Sequence, residues 1–181
     1  MKKRLSITLD QSMSASLENV KTKALIIGIH EGKSISQELK KLDTASKGVL
    51  KKLINREELE GKVGQSLYIP SLLGAVAERV YLIGCGKKSS SLSKDQVNKI
   101  LTKLISAAIS SNADEATISL PSLKTSEGDE WVLNQLSLIA ENQSYTYDAK
   151  LNKKNVRVVK LKKLRISIDS SLSDAKLKKA L

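Results

Sequence analysis

Hydrophobic positions fall into short runs alternating with longer periodic stretches. Leu5 to Leu9 (LSITL) predicts a first strand, and Ala24 to Ile29 (ALIIGI) is a mostly apolar run of the kind that is buried on both faces of a sheet. His30 to Lys33 is the turn after it. Ile35, Leu39, Leu42, Ala45, Val49 and Leu53 then recur at three- and four-residue spacing, which predicts one amphipathic helix from about Ser34 to Ile54, with Gly48 a mild cost inside it. Ser66 to Pro70 and Arg79 to Gly84 predict two short strands, with SLLGAV as a small loop or hairpin connection between them.

The strongest local signal comes next. Ser93 and Gln96 form a capping box in front of the apolar stripe Val97, Ile100, Leu101, Leu104, Ile105 and Ala108. Ala116 to Leu120 is a strand closed by Pro121 and Ser122. Glu127 to Asn142 predicts a third helix, with acidic residues in its first turn and Val132, Leu133, Leu136, Ile139 and Ala140 inward. Val156 to Val159 and Leu164 to Ile168 read as late strands. Ser173 to Leu181 starts another helix within which the sequence stops, as a domain taken from something larger would, or a genuine terminal helix. Strands alternating with helices of this length predict an α/β layered domain with a parallel or mixed sheet.

A chain of 181 residues with 40% apolar content and two prolines fits one folded domain with a fair-sized core. With one Trp, four Tyr and no Phe, that core is built from Leu, Ile, Val and Ala. The single cysteine rules out an internal disulfide framework and fits a reducing compartment. The basic start MKKR has no apolar run behind it long enough for a signal peptide, and no stretch approaches the roughly 18 apolar residues of a membrane span. A cytoplasmic protein without a membrane partner is the expectation.

Charge is uneven. Nine Lys and two Arg stand against two Asp between Lys150 and Leu181, so +9 of the +12 belongs there and +3 to the other 149 residues. Lys150, Lys153, Lys154, Arg157, Lys160, Lys162, Lys163 and Arg165 make a basic segment with no acid among them, which is a candidate for a phosphate backbone. Tyr145 and Tyr147 just upstream could stack bases. A solvated face, or one matched to an acidic partner domain, explains the same residues, and no recognised nucleic-acid module is present.

Other chemistry is sparse. Gly84-Cys85-Gly86-Lys87 leaves a strand and could cradle a phosphate on backbone N–H groups, but it is neither GxGxxG opening a helix nor a P-loop; a tight strand exit explains it as well. Cys85 would need an activating base, for which His30 is the one histidine; a structural thiol and a loop histidine are the simpler reading. One His and one Cys do not make a transition-metal cluster, and Glu57, Glu58 and Glu60 read as solvated charge.

Three motifs in order carry a resemblance. They are Gly61-Lys62-x-Gly64-Gln65, then Arg79 to Lys87 (RVYLIGCGK) with Gly84, Gly86 and Lys87, and last Tyr145-x-Tyr147-Asp148. With ALIIGIHEG ahead of them, the chain resembles the N-terminal domain of the cytosolic leucyl aminopeptidases over roughly Leu5 to Leu181. Tyr147 takes the family's aromatic place, and Leu151 disturbs the family's pattern beyond it.

The resemblance implies a macro-domain-like three-layer sandwich, with a mixed, largely parallel sheet flanked by helices. It would span residues 1–168, with 169–181 starting a linker helix toward a missing catalytic domain. It implies a hexameric whole protein acting on peptides with two divalent ions, manganese or zinc, held in that other domain. Neither an NTDxEGR-like nor a VGKG-like segment of the catalytic domain occurs here. The implied role for this domain is non-catalytic, in assembly or regulation, with no metal and no catalytic residue of its own. Some bacterial members of the family also bind DNA, which the basic segment would suit. An ADP-ribose-like nucleotide at the Gly84 turn is a third reading, left open by Glu31 near Gly28.

Overall fold

The computed structural model describes residues 5–32, 35–144 and 159–169. Among them are six strands, β1 (Ser6–Leu9), β2 (Ala24–Ile29), β3 (Ser66–Ile69), β4 (Val80–Gly84), β5 (Glu115–Leu120) and β6 (Lys163–Ile168). Four α-helices accompany them: α1 (Gln37–Ala45), α2 (Val49–Asn55), α3 (Lys94–Ser110) and α4 (Gly128–Ser144). The strands form one sheet in the order β1-β6-β5-β2-β4-β3. All neighbours run parallel except β3, which lies antiparallel on β4 and stacks Tyr68 on Tyr81 directly opposite.

Side-chain alternation along β2 divides the core. Ala24 and Ile26 pack into the layer of α3 and α4, whereas Leu25, Ile27 and Ile29 pack into the layer of α1 and α2. Every residue of β2 is buried, as its apolar run requires. The result is the expected α/β three-layer sandwich with a mixed, largely parallel sheet.

In α3, the Gln96 N–H donates to Ser93 Oγ at 3.3 Å and the Ser93 N–H donates to Gln96 Oε1 at 2.9 Å. All six residues of its predicted apolar stripe are buried. In α4 the stripe is buried except for Ile139, which is half-buried against the core.

The predicted helix from Ser34 to Ile54 is two helices. Lys47 (φ 56°) and Gly48 (φ 77°) both take left-handed backbone and turn the chain between α1 and α2. The Asp43 carboxylate, buried at the turn, accepts the Lys51 N–H at 3.0 Å and caps α2 where Gly48 has no side chain to do so. Leu50 is buried in α2, while Val49 and Leu53 are half-buried rather than fully inward.

Val159 lies outside any strand, and the rest of the Val156 to Val159 prediction, like the helix from Ser173, lies outside the described residues. Among the described residues no helix is long and apolar enough to cross a membrane.

Candidate functional site

The glycine motifs lie against each other. The Gly84 N–H donates to the Gln65 carbonyl at 2.7 Å, the Gly64 N–H to the Gly84 carbonyl at 3.0 Å, and the Gly86 N–H to the Gly61 carbonyl at 2.8 Å. Gln65 Oε1 accepts two backbone donors, from Glu60 at 2.9 Å and Gly61 at 3.0 Å. Gly61 (φ 82°) needs left-handed backbone, and a Cβ there would also stand 2.5 Å from the His30 carbonyl oxygen. Lys62 reaches back to pair with Glu60, while Lys87 is exposed.

This knot closes the exit of β4. The Cys85 N–H donates to the Ile29 carbonyl at 2.8 Å, so the N–H groups of Gly84, Cys85 and Gly86 are all engaged within the protein. A phosphate at this turn would have to displace them. Cys85 is fully buried and its thiol is pushed up by burial from 9.0 to about 12, which keeps it protonated and a poor nucleophile. His30 Nδ1 lies 3.2 Å from the Gly86 carbonyl. His30 therefore braces the turn.

A cleft of about 290 Å³ opens next to this turn, at the carboxyl ends of β2 and β5. Gly28, His30 and Glu31 line it from β2 and the loop after it, and Ser119 and Pro121 from β5. Pro121 packs so close to Gly28 that a Cβ there would stand 2.5 Å from the proline Cδ. Apart from Gly28, His30 and Glu31, these residues were not singled out in the sequence. The one signal that locates them is the strand–helix alternation, which fixes where carboxyl ends of neighbouring parallel strands meet.

The described part of the basic segment, Lys160 to Arg165, begins at the opposite end of the sheet. Lys160, Lys162 and Lys163 are exposed, and Lys160 and Lys162 border an open depression with Lys23 and Arg79. Lys23 pairs with Asp114 at 2.8 Å; the pair raises the lysine pKa and lowers that of the aspartate, at an exposed site. Arg165 turns inward instead, donating from Nη2 to the Lys21 carbonyl and to Glu115 Oε1 at 2.9 Å. Lys150, Lys153, Lys154, Arg157, Tyr145, Tyr147 and Asp148 lie outside the described residues.

Among the described residues, no three of His, Cys, Asp and Glu stand together as a metal-ligand set. Of the clustered glutamates, Glu58 pairs with Arg56 and Glu60 with Lys62.

Comparison with known proteins places this geometry. The profile of the cytosol aminopeptidase family, N-terminal domain, matches residues 26–154. A probable cytosol aminopeptidase of Tolumonas auensis is 35% identical over 146 residues, covering 80% of this chain and 29% of that protein. A tomato leucine aminopeptidase mutant shares the fold with a TM-score of 0.65 at 22% identity, over 98% of this chain and 35% of that one. The macrodomain of Mycobacterium tuberculosis DarG shares it with a TM-score of 0.57 at 13% identity, over 90% of this chain and 98% of that one. The chain thus spans about a third of the length of the aminopeptidases it matches. The match over most of its length shows that it belongs to the cytosol aminopeptidase family and corresponds to that family's N-terminal domain.

Proposed function

We propose that this chain is the non-catalytic N-terminal domain of a dinuclear metal-dependent leucyl aminopeptidase, a cytoplasmic enzyme that removes N-terminal residues from peptides. Its role in that reading is assembly of a homo-hexamer and regulation of access to the catalytic domain. Residues 1–168 form the domain and 169–181 begin the linker helix. The observation that carries the reading is the family match over residues 26–154, confined to the N-terminal part of relatives about three times as long.

Among the described residues, the candidate nucleophile and base have structural places. Cys85 is buried with a raised pKa, and His30 braces a turn. The described residues do not fit a metal pair, so no reaction step is assigned to them. The two ions, manganese or zinc, belong in this reading to the remaining domain, where such a pair activates water and stabilises the developing oxyanion.

The test is cleavage of a leucine chromogenic amide with added manganese or zinc, by this chain and by the full product of its reading frame. Activity only in the longer protein is expected. Activity in the 181-residue chain overturns the non-catalytic reading, and two folded but inactive proteins overturn the peptidase reading.

A second reading rests on the basic 150–165 segment, whose Lys160 and Lys162 border a depression shared with the ion pairs Lys23–Asp114 and Arg79–Glu78. It assigns the domain a nucleic-acid-binding surface. Binding of duplex DNA should then weaken steeply with salt, and Lys160→Glu with Lys162→Glu should reduce that salt dependence. Binding that ignores both overturns it.

A further inference from the structure

The winding of the chain reverses between β2 and β5. After β2 it runs to α1 and α2, which pack on one face of the sheet; after β5 it runs to α4, which packs on the other. The strands are adjacent and parallel, so their connections part at the carboxyl ends and leave a crevice. In open α/β sheets this is the place where ligands bind. The 290 Å³ cleft lies there, at the small end of the range for small-molecule sites.

Its lining states what would fit. The apolar part is aliphatic, with Leu17, Ile27, Leu39 and Ile54. Among the described residues, the polar part carries three carboxylates, Glu31, Glu38 and Asp169, and one cation, Lys88. Glu38 Oε2 accepts the Ser36 hydroxyl at 3.1 Å. His30 Nδ1 faces the Gly86 carbonyl at 3.2 Å. Nε2 is shielded from water and has no hydrogen-bond partner among the described residues.

A phosphate-rich ligand would meet three like charges here. A ligand that brings several N–H donors and a positive charge meets matching acceptors. The aliphatic floor selects its body, and Lys88 offers a carboxylate one partner. We propose that this cleft binds a free amino acid with a branched aliphatic side chain. Its ammonium lies among Glu31, Glu38 and Asp169, and its carboxylate lies toward Lys88. The argument rests on the cleft alone and stands apart from the proposed peptidase activity, although such a peptidase would release this class of molecule.

Amide NMR spectra of the 181-residue chain, titrated with L-leucine, test the inference without any catalytic readout. Saturable shifts confined to Ile29, His30, Glu31, Lys88, Ser119 and Leu120 are expected. Isopentylamine, which keeps the ammonium and the body, should bind the same amides more weakly. Isocaproate, which lacks the ammonium, should not bind. Glu31→Gln combined with Asp169→Asn should weaken leucine by about tenfold, the loss expected for charged hydrogen bonds. Lys88→Met should weaken leucine and leave isopentylamine unchanged. Unperturbed amides elsewhere show that each variant is folded. No saturable shift with leucine overturns the proposal, as does equal binding of isocaproate. Adenosine diphosphate shifting these amides where leucine does not would assign the cleft to anions instead.

Discussion

Gly84 packs against the Lys62 carbonyl so closely that a Cβ on Gly84 would overlap that oxygen. The opposing atoms are backbone, from Lys62 and Gly61, and have no rotamer to move into. Gly84→Ala should therefore destabilise the chain by about 3 kcal/mol or more in urea titration. Gly48→Ala is the control. Gly48 has φ +77° but open space around it, so the strain is dihedral alone and should cost about 1–2 kcal/mol. A smaller loss at Gly84 than at Gly48 would mean that the Gly61–Lys62 loop yields.

Gln65 holds the same loop from the other side by accepting the Glu60 and Gly61 N–H groups on one oxygen. Gln65→Leu should cost about 2–3 kcal/mol, because it leaves both donors without their acceptor. Gln65→Glu keeps an acceptor in place and should cost less than about 1 kcal/mol. Hydrogen exchange at the Glu60 and Gly61 amides reads the difference directly; equal protection in both variants would show that the loop does not depend on this side chain.

The buried Cys85 thiol makes stability depend on alkaline pH. Its native pKa is raised from 9.0 to about 12, so the native state keeps a proton that the unfolded chain loses first. The contribution is fully present below pH 9 and is lost as pH rises toward 12. The urea midpoint of the native sequence should fall across this window more than that of Cys85→Ala, which removes the titrating group. Below pH 9 the thiol should react with alkylating reagents only when the chain opens.

Asp43 should decide whether α2 forms. Its carboxylate is the acceptor for the Lys51 N–H in the first turn of that helix. Asp43→Ala should cost about 1–2 kcal/mol, and Asp43→Asn, which retains an acceptor, a few tenths. Faster amide exchange through Val49–Asn55 in the alanine variant alone is the expected signature; equal exchange in all three would remove the capping role.

The same turn shows what local reading misses. The apolar spacing from Ile35 to Leu53 passes through Gly48 without a break, so periodicity alone predicts one helix. The break comes from two successive left-handed residues and a buried carboxylate beneath them, and spacing does not reveal them. By contrast, β2 and α3 were legible almost to the residue. The ALIIGI run carries its own burial, and the Ser93 box and six-residue stripe are local signals. The glycines of the two motifs were visible, but not that they close on each other, because that contact joins separate loops. The cleft was least legible of all. It is assembled from the ends of β2 and β5, the start of α1 and the residue after β6, and no short motif encodes such a meeting.

The edge of the sheet puts the domain on a clock. β1 pairs with β6, and the Gln11 amide group clasps both the N–H and the carbonyl of Ile168. These partners stand 157 positions apart, so at ordinary rates of synthesis roughly 8–30 seconds separate their appearance from the ribosome. Throughout that interval β1 has nowhere to dock, and β5, once made, waits for β6. The central strands β2 and β4 can already be joined, since both precede α3. The nascent domain is thus completed at the side formed by β1 and β6, and the interval before closure is when a holdase would have most to cover.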